Sequence, residues 1–171
     1  HYAGSKLAGE LASLIYPHTT VLRANFFGKS ELENRPSYTD WIFNNLKQKN
    51  KINIFQDVDF NALSMSSLCH AIEKVIKSPS YGIFNVGAST QMSKAAFCQS
   101  FANQLFENSE KYLEKISIDQ LQLKAPRPKK MAMNSTLFEK TFDFKFNSLE
   151  EEINLTVQEY KKNTPSTHKE H

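Results

Sequence analysis

The chain is 171 residues long, 40% hydrophobic and 23% charged, which suits one soluble domain with its own core. Its net charge of +3 comes from scattered lysines rather than a basic stripe, which argues against nucleic acid as the main partner. No apolar run approaches a membrane span and no signal peptide opens the chain, so a cytoplasmic protein with no membrane partner is expected.

The first notable residues are Tyr2 and Lys6. At this spacing on a helix they lie one turn apart on one face. A lysine ammonium beside a phenol favours the phenolate, and such a tyrosine can exchange a proton with a carbonyl or alcohol near neutral pH. Taken alone, the pair reads as a solvated helix start. Residues 5–16 read as a helix with Leu7, Leu11, Leu14 and Ile15 on its apolar face, ended by Pro17. Residues 20–27 are β-branched and aromatic and read as one buried strand closed by Gly28. A helix followed by a buried strand implies a parallel sheet. Residues 29–37 read as a polar loop.

A helix is expected over 38–46, capped by Thr39 or Asp40, with Trp41, Ile42 and Leu46 facing inward. Trp41 reads as core in preference to a sugar-stacking ring. Lys47, Lys49 and Lys51 read as a solvated helix end. Residues 52–55 form a short strand and 56–63 a loop. Asp57 and Asp59 lack the neighbours that a metal site needs, and no metal is expected. Residues 66–77 read as the cleanest helix, with Leu68, Ala71, Ile72, Val75 and Ile76 in period. Residues 81–87 read as a strand. Ser93 caps a helix to about 106 with Phe97, Phe101 and Leu105 as core. Residues 113–123 fit helix or strand. The two prolines around Arg127 fix an extended path, from which its guanidinium can grip a phosphate or lie on an ordinary basic loop. Ser148 and Glu151 form a capping box opening a helix whose buried face is Leu149, Ile153, Val157 and Tyr160. Cys69 and Cys98 have no redox or metal spacing and read as small core residues in a reducing compartment.

Tyr2-x-x-Ser5-Lys6-Leu7-x-Gly9-Glu10, followed by Val21-Leu22-Arg23, resembles the active-site segment of the extended short-chain dehydrogenases/reductases. Within that superfamily it is similar to the dTDP-4-dehydrorhamnose reductase and nucleotide-sugar epimerase–dehydratase family. Arg23-Ala24-Asn25-Phe26-Phe27-Gly28, residues 81–87 and Ala125-Pro126-Arg127-Pro128 extend the resemblance over most of the chain. The resemblance implies an α/β fold: the C-terminal part of a Rossmann-type parallel sheet, interleaved with a small mixed α/β substrate-binding lobe. It divides the chain into a remnant of the dinucleotide domain (1–28), a substrate lobe (29–160) interrupted by a late sheet strand (81–87), and a disordered tail (161–171).

The implied activity is reduction of a 4-keto-deoxysugar nucleotide with NADP or NAD. Tyr2 is the implied general acid and Lys6 its partner and a ribose ligand. Asn25 and Phe26 would touch the nicotinamide or the sugar, and Arg127 would hold the substrate diphosphate. Read singly, Asn25 is equally a turn residue and Phe26 a core residue. The five glycines, Gly4, Gly9, Gly28, Gly82 and Gly87, contain no dinucleotide-binding turn. The expectation is therefore that the cofactor cradle and the glycine-rich half lie outside this sequence, and that the chain alone does not turn over. Pairing with that half, or as a homodimer, is expected. An epimerase or dehydratase of the same superfamily, or a non-catalytic binding or regulatory module, is the alternative.

Overall fold

A computed structural model describes residues 1–32 and 34–162. Helix α1 spans Tyr2–Ser13, three residues earlier at each end than the apolar period suggests. It buries none of its residues, and Leu7, Leu11 and Ile15 are exposed. The expected apolar face exists, but no described element packs over it. Strand β1 (Thr20–Ala24) and strand β2 (Phe26–Phe27) replace the single buried strand expected over 20–27. Asn25 separates them, giving its carbonyl to the Leu63 N–H at 2.9 Å. β1 is half-buried rather than buried, because one strand alone pairs with it among the described residues.

Helix α2 (Tyr38–Lys47) is capped by Ser37, not by Thr39 or Asp40, and Ser37 and Asp40 form a reciprocal capping box. Thr39 and Ile42 and Leu46 are its buried residues. Trp41 is 40% exposed, so it is not the core residue expected. Thr39 takes the inward place because both of its hydrogen-bonding roles are met: its hydroxyl donates to the Gly28 carbonyl at 2.9 Å and accepts the Tyr160 hydroxyl at 3.0 Å.

Four short strands follow in two stages: β3 (Ile52–Phe55), β4 (Asp59–Phe60) and β5 (Leu63–Ser64), then, after helix α3 (Met65–Lys77), β6 (Gly82–Val86). Leu68 and Ala71 of α3 are buried. Ile72 and Ile76, expected on the same face, are exposed. They extend the apolar period beyond the width of the surface that α3 covers. Strand β7 (Met92–Ser93) leads into helix α4 (Lys94–Asn103), capped by Ser93, whose hydroxyl accepts the Ala96 N–H at 3.1 Å. The ambiguous stretch after it is strand β8 (Leu113–Ile116) and a short 3₁₀ turn at Ile118–Gln120. Helices α5 (Thr136–Phe142) and α6 (Leu149–Lys162) close the described chain. Lys161 and Lys162, expected in the tail, belong to the last turn of α6. The rest of the expected tail, 163–171, lies outside the described residues.

Pairing is mostly parallel: β1 with β6, β2 with β5, and β3 with β8, whereas β4 and β7 run antiparallel. The chain leaves β1, builds α2, β3 and α3, then returns to β1 through β6. α4 packs on α2, α6 and β3. At the centre of these contacts is Phe97, fully buried, with the rings of Phe27, Tyr38, Phe60 and Phe101 around it at centroid distances of 4.7–6.4 Å. Such offset and edge contacts suit aromatic quadrupoles.

Candidate active site

Tyr2 and Lys6 share one exposed face of α1, with the Lys6 ammonium 5.6 Å from the centre of the Tyr2 ring. The Ser5 hydroxyl donates to the Tyr2 carbonyl at 2.8 Å. The helix is tied to the sheet by a residue inside the same motif. Glu10 accepts both arms of the Arg23 guanidinium, at 2.8 and 2.6 Å. This fork-to-fork geometry on β1 fixes direction as well as distance. The hydrogen bond and charge of Arg23 hold the Glu10 carboxyl below its ordinary value, and Glu10 raises Arg23 in turn. The sequence placed Glu10 and Arg23 in the motif without indicating that they meet.

Asn25 and Phe26 lie at the carboxyl end of β1, both exposed, with Phe26 57% exposed. In sheets of this class ligands gather at that end. Phe26 walls a cavity of about 470 Å³ shared with Gly28, Arg35, Pro36, Tyr38 and Met65. A neighbouring cavity of about 560 Å³ is lined by Tyr38, Trp41, Lys51, Asn53, Phe55 and Lys94. Tyr38 stands between the two. Its ring stacks on Trp41, 6.0 Å apart and tilted by 10°. Its hydroxyl meets the Cys98 sulfur at 3.1 Å, and the Lys94 ammonium lies 5.5 Å from its ring centre.

Burial governs the protonation of this cluster. It pushes the Cys98 thiol up to about 11, keeps the Tyr38 phenol well above its ordinary value, and pulls Lys94 down. Arg127 adds to the effect on Lys94, since its positive charge is felt there. The Lys94 ammonium at the edge of the Tyr38–Trp41 shelf is suited to a phosphate-bearing ligand. Lys94 was not singled out in the sequence. It follows a helix cap, and only the fold brings it to Tyr38.

Arg127 itself is exposed. Its extended segment is stitched to β4: the Asp59 N–H donates to the Lys129 carbonyl at 2.7 Å, and the Met131 N–H to the Asp59 carbonyl at 2.9 Å. The Lys129 ammonium bridges Asp57, at 2.9 Å, and Asp119. Asp57 also accepts the Ser117 hydroxyl and the Ile118 N–H. Those hydrogen bonds, the Ser117 one foremost, hold its carboxyl well below the usual range. Asn61 clasps the same segment, exchanging hydrogen bonds with the Met133 backbone at 2.8 Å in both directions. A Cβ on Gly87 would come within 2.7 Å of the Asn61 carbonyl, so only glycine allows this approach. Among the described residues no hydrogen bond or ring contact joins Tyr2 and Lys6 to Phe26 or Arg127. The pair, the β1 end and the Arg127 loop are three separately anchored parts.

The sequence matches the family described as RmlD substrate binding domain over residues 1–162. The chain belongs to this family. No curated protein sequence matches it. Among solved structures, the dTDP-4-dehydrorhamnose reductase of Bacillus anthracis, in complex with NADP, superposes with a TM-score of 0.79 at 19% identity, over 92% of this chain and 54% of that one. The dTDP-4-dehydrorhamnose reductase orthologue of Clostridium acetobutylicum gives 0.79 at 17% identity, over 94% and 55%. The dTDP-glucose 4,6-dehydratase of Bacillus anthracis, in complex with NAD, gives 0.75 at 20% identity, over 95% and 52%. RmlD-type fold and Rossmann-like neighbours agree with the parallel α/β pairing described above. The chain spans about half the length of these structures.

Proposed function

We propose that this RmlD-family chain supplies the proton-donating pair and the sugar-nucleotide lobe of an NAD(P)-dependent oxidoreductase that reduces a 4-keto-deoxysugar nucleotide. The observation that carries the reading is the Tyr2–Lys6 pair, side by side on one solvent-facing helix face in a chain of this family. The exposed hydroxyl, the ammonium and the open end of β1 at Asn25 and Phe26 fit the ribose–nicotinamide end of the cofactor. When bound, that group supplies the hydride. Tyr2 donates its phenolic proton to the oxygen that was the C4 carbonyl. Lys6 stabilises the phenolate left behind through its charge and hydrogen-bonds the cofactor ribose. Arg127 and Lys94 hold the diphosphate, and the Tyr38–Trp41 shelf receives an apolar or planar part of the substrate.

The 0.75 match to a dehydratase fold supports a second reading in the same superfamily, an epimerase or dehydratase that keeps NAD bound throughout its cycle. Product analysis separates them: consumption of one equivalent of reduced nicotinamide per sugar belongs to the reductase alone. The proposal includes a cytoplasmic protein and pairing through the exposed Leu7, Leu11 and Ile15 row, either with a second copy or with further sequence.

The test is Tyr2→Phe in the full-length protein. A general acid contributes ~10²–10⁴-fold in rate, and the exposed position predicts an unchanged melting temperature. A loss of only a fewfold sinks the catalytic assignment.

A further inference from the structure

Helix α1 carries the proposed reactive pair, yet apolar packing does not fix its position. Every residue of α1 is exposed except Glu10, which is half-buried. On a helix whose leucines face solvent, the one covered side chain is a carboxylate. It is covered because it takes both arms of the Arg23 guanidinium. Arg23 is a firm anchor. Its strand pairs with β6 over its whole length, with Arg23 opposite Asn85. Two residues on, the Asn25 carbonyl accepts the Leu63 N–H. The other hydrogen bonds that leave α1 lie at its last residue, where the Ser13 carbonyl accepts the Thr19 hydroxyl at 2.9 Å and the Tyr16 N–H at 3.2 Å. Beyond these and the fork, no hydrogen bond or ion pair joins α1 to a later element among the described residues.

This places the reactive pair at the free end of a lever. Tyr2 lies eleven residues before Ser13, about 16 Å along the axis at ~1.5 Å per residue. A tilt of only about 4° about that end therefore moves Tyr2 by about 1 Å. Misplacing a catalytic group by about that much costs on the order of a hundredfold in rate. Cover over Leu7 and Leu11 would press on the helix without setting its direction, because apolar contact is non-directional. A planar fork on a carboxylate does set direction. Glu10 follows Lys6 by four residues and Arg23 precedes Asn25 by two. The fork thus joins the helix of the proton donor to the strand end proposed to meet the nicotinamide.

We propose that Glu10 and Arg23 are positioning residues, which set where Tyr2 and Lys6 stand relative to Asn25 and Phe26. The proposal rests on the reductase reading for what the pair does, and on the fork for how the pair is placed.

The experiment is steady-state kinetics and backbone hydrogen exchange on the full-length protein carrying Arg23→Met, Glu10→Gln or both, with Tyr2→Phe in parallel. Each single variant should lower kcat by ~10–100-fold. KM for the nucleotide sugar, held on the lobe by Arg127 and Lys94, should stay within about twofold. The two residues act as a unit, so the double variant should be no slower than the worse single one. Arg23→Lys keeps the charge without the fork and should remain slow. The melting temperature should barely move, since an exposed ion pair contributes little, whereas exchange in residues 2–13 should quicken. An unchanged kcat in Arg23→Met beside a strongly impaired Tyr2→Phe overturns the proposal. So does full recovery by Arg23→Lys, a multiplicative loss in the double variant, or a KM that rises as far as kcat falls. A Tyr2→Phe variant that loses only a fewfold defeats the reductase reading instead. The positioning of α1 is then decided by exchange: quickening in Arg23→Met upholds the fork as its anchor, and unchanged exchange overturns it.

Discussion

Helix α1 and helix α6 have similar apolar periods and opposite fates. α6 buries six residues, among them Leu149, Ile153, Val157 and Tyr160, against α4 and β5. α1 buries none, although Leu7 and Leu11 repeat at the same i, i+4 interval. The period supplies a face, and a packing partner decides whether the face becomes core. The difference also sorts the chemistry. The reactive pair proposed here sits on the uncovered helix, and the groups proposed to hold substrate sit on the packed lobe. Two capping boxes, Ser37 with Asp40 and Ser148 with Glu151, start helices in the lobe, whereas His1 gives α1 no side-chain cap.

The contrast can be tested by substitution. The largest stability effect is expected at the centre of the lobe. Phe97→Ala removes a fully buried ring held by four others and should lower unfolding free energy by about 3–5 kcal/mol in urea titration. A loss no greater than that of a surface change would mean that the lobe is not the stable body. Next comes Arg127→Ala. Its loss should raise KM for the nucleotide sugar by about 1.5–3 kcal/mol, roughly ten- to a hundredfold, with little change for NAD(P). Equal effects on both ligands would remove Arg127 from the substrate site.

The Arg127 loop has a pH test of its own. Asp57 is held below its unfolded value by its hydrogen bonds to Ser117, Ile118 and Lys129. A depressed carboxylate stabilises fully above its unfolded value, near ~4, and loses that contribution as pH falls toward the folded value. The melting temperature of Asp57→Asn should therefore lie below wild type at pH 7, and the gap should narrow below about pH 4. A gap independent of pH would assign its effect to shape rather than charge. The smallest effect belongs to α1. Leu11→Ala, on a residue 58% exposed, should change the stability of this chain by no more than about 0.5 kcal/mol. A larger loss in the full-length protein would reveal that α1 is covered there, and size-exclusion with light scattering would show whether a second copy covers it.

Local chemistry made much of this structure legible. The Ser93 and Ser148 caps, the α3 and α6 helices, the β6 strand and the Tyr2–Lys6 spacing all rest on neighbours within one or two turns, so the amino-acid order alone suffices for them. The misread residues share another cause. Hydrophobicity points Trp41 and Ile76 inward, yet Thr39 is the buried residue at the start of α2, because the Gly28 carbonyl beyond the intervening loop and Tyr160, far away in sequence, satisfy its hydroxyl. Lys94 and Cys98 beside Tyr38, Asn61 across Met133 and Ala88, and Asp57 against Ser117 and Lys129 are joined over separations of about 30 to 70 residues.

By itself, then, the sequence determined that Ser93 and Ser148 open helices, that residues 82–86 form a strand, and that one helix carries a tyrosine and a lysine on a common face. Only the tertiary structure decided which apolar faces are covered, which polar groups are satisfied, and that Glu152 is sealed in where its carboxylate accepts the Ser64 N–H. Periodicity and capping are properties of adjacent residues, whereas burial and hydrogen-bond satisfaction depend on whatever the fold brings alongside.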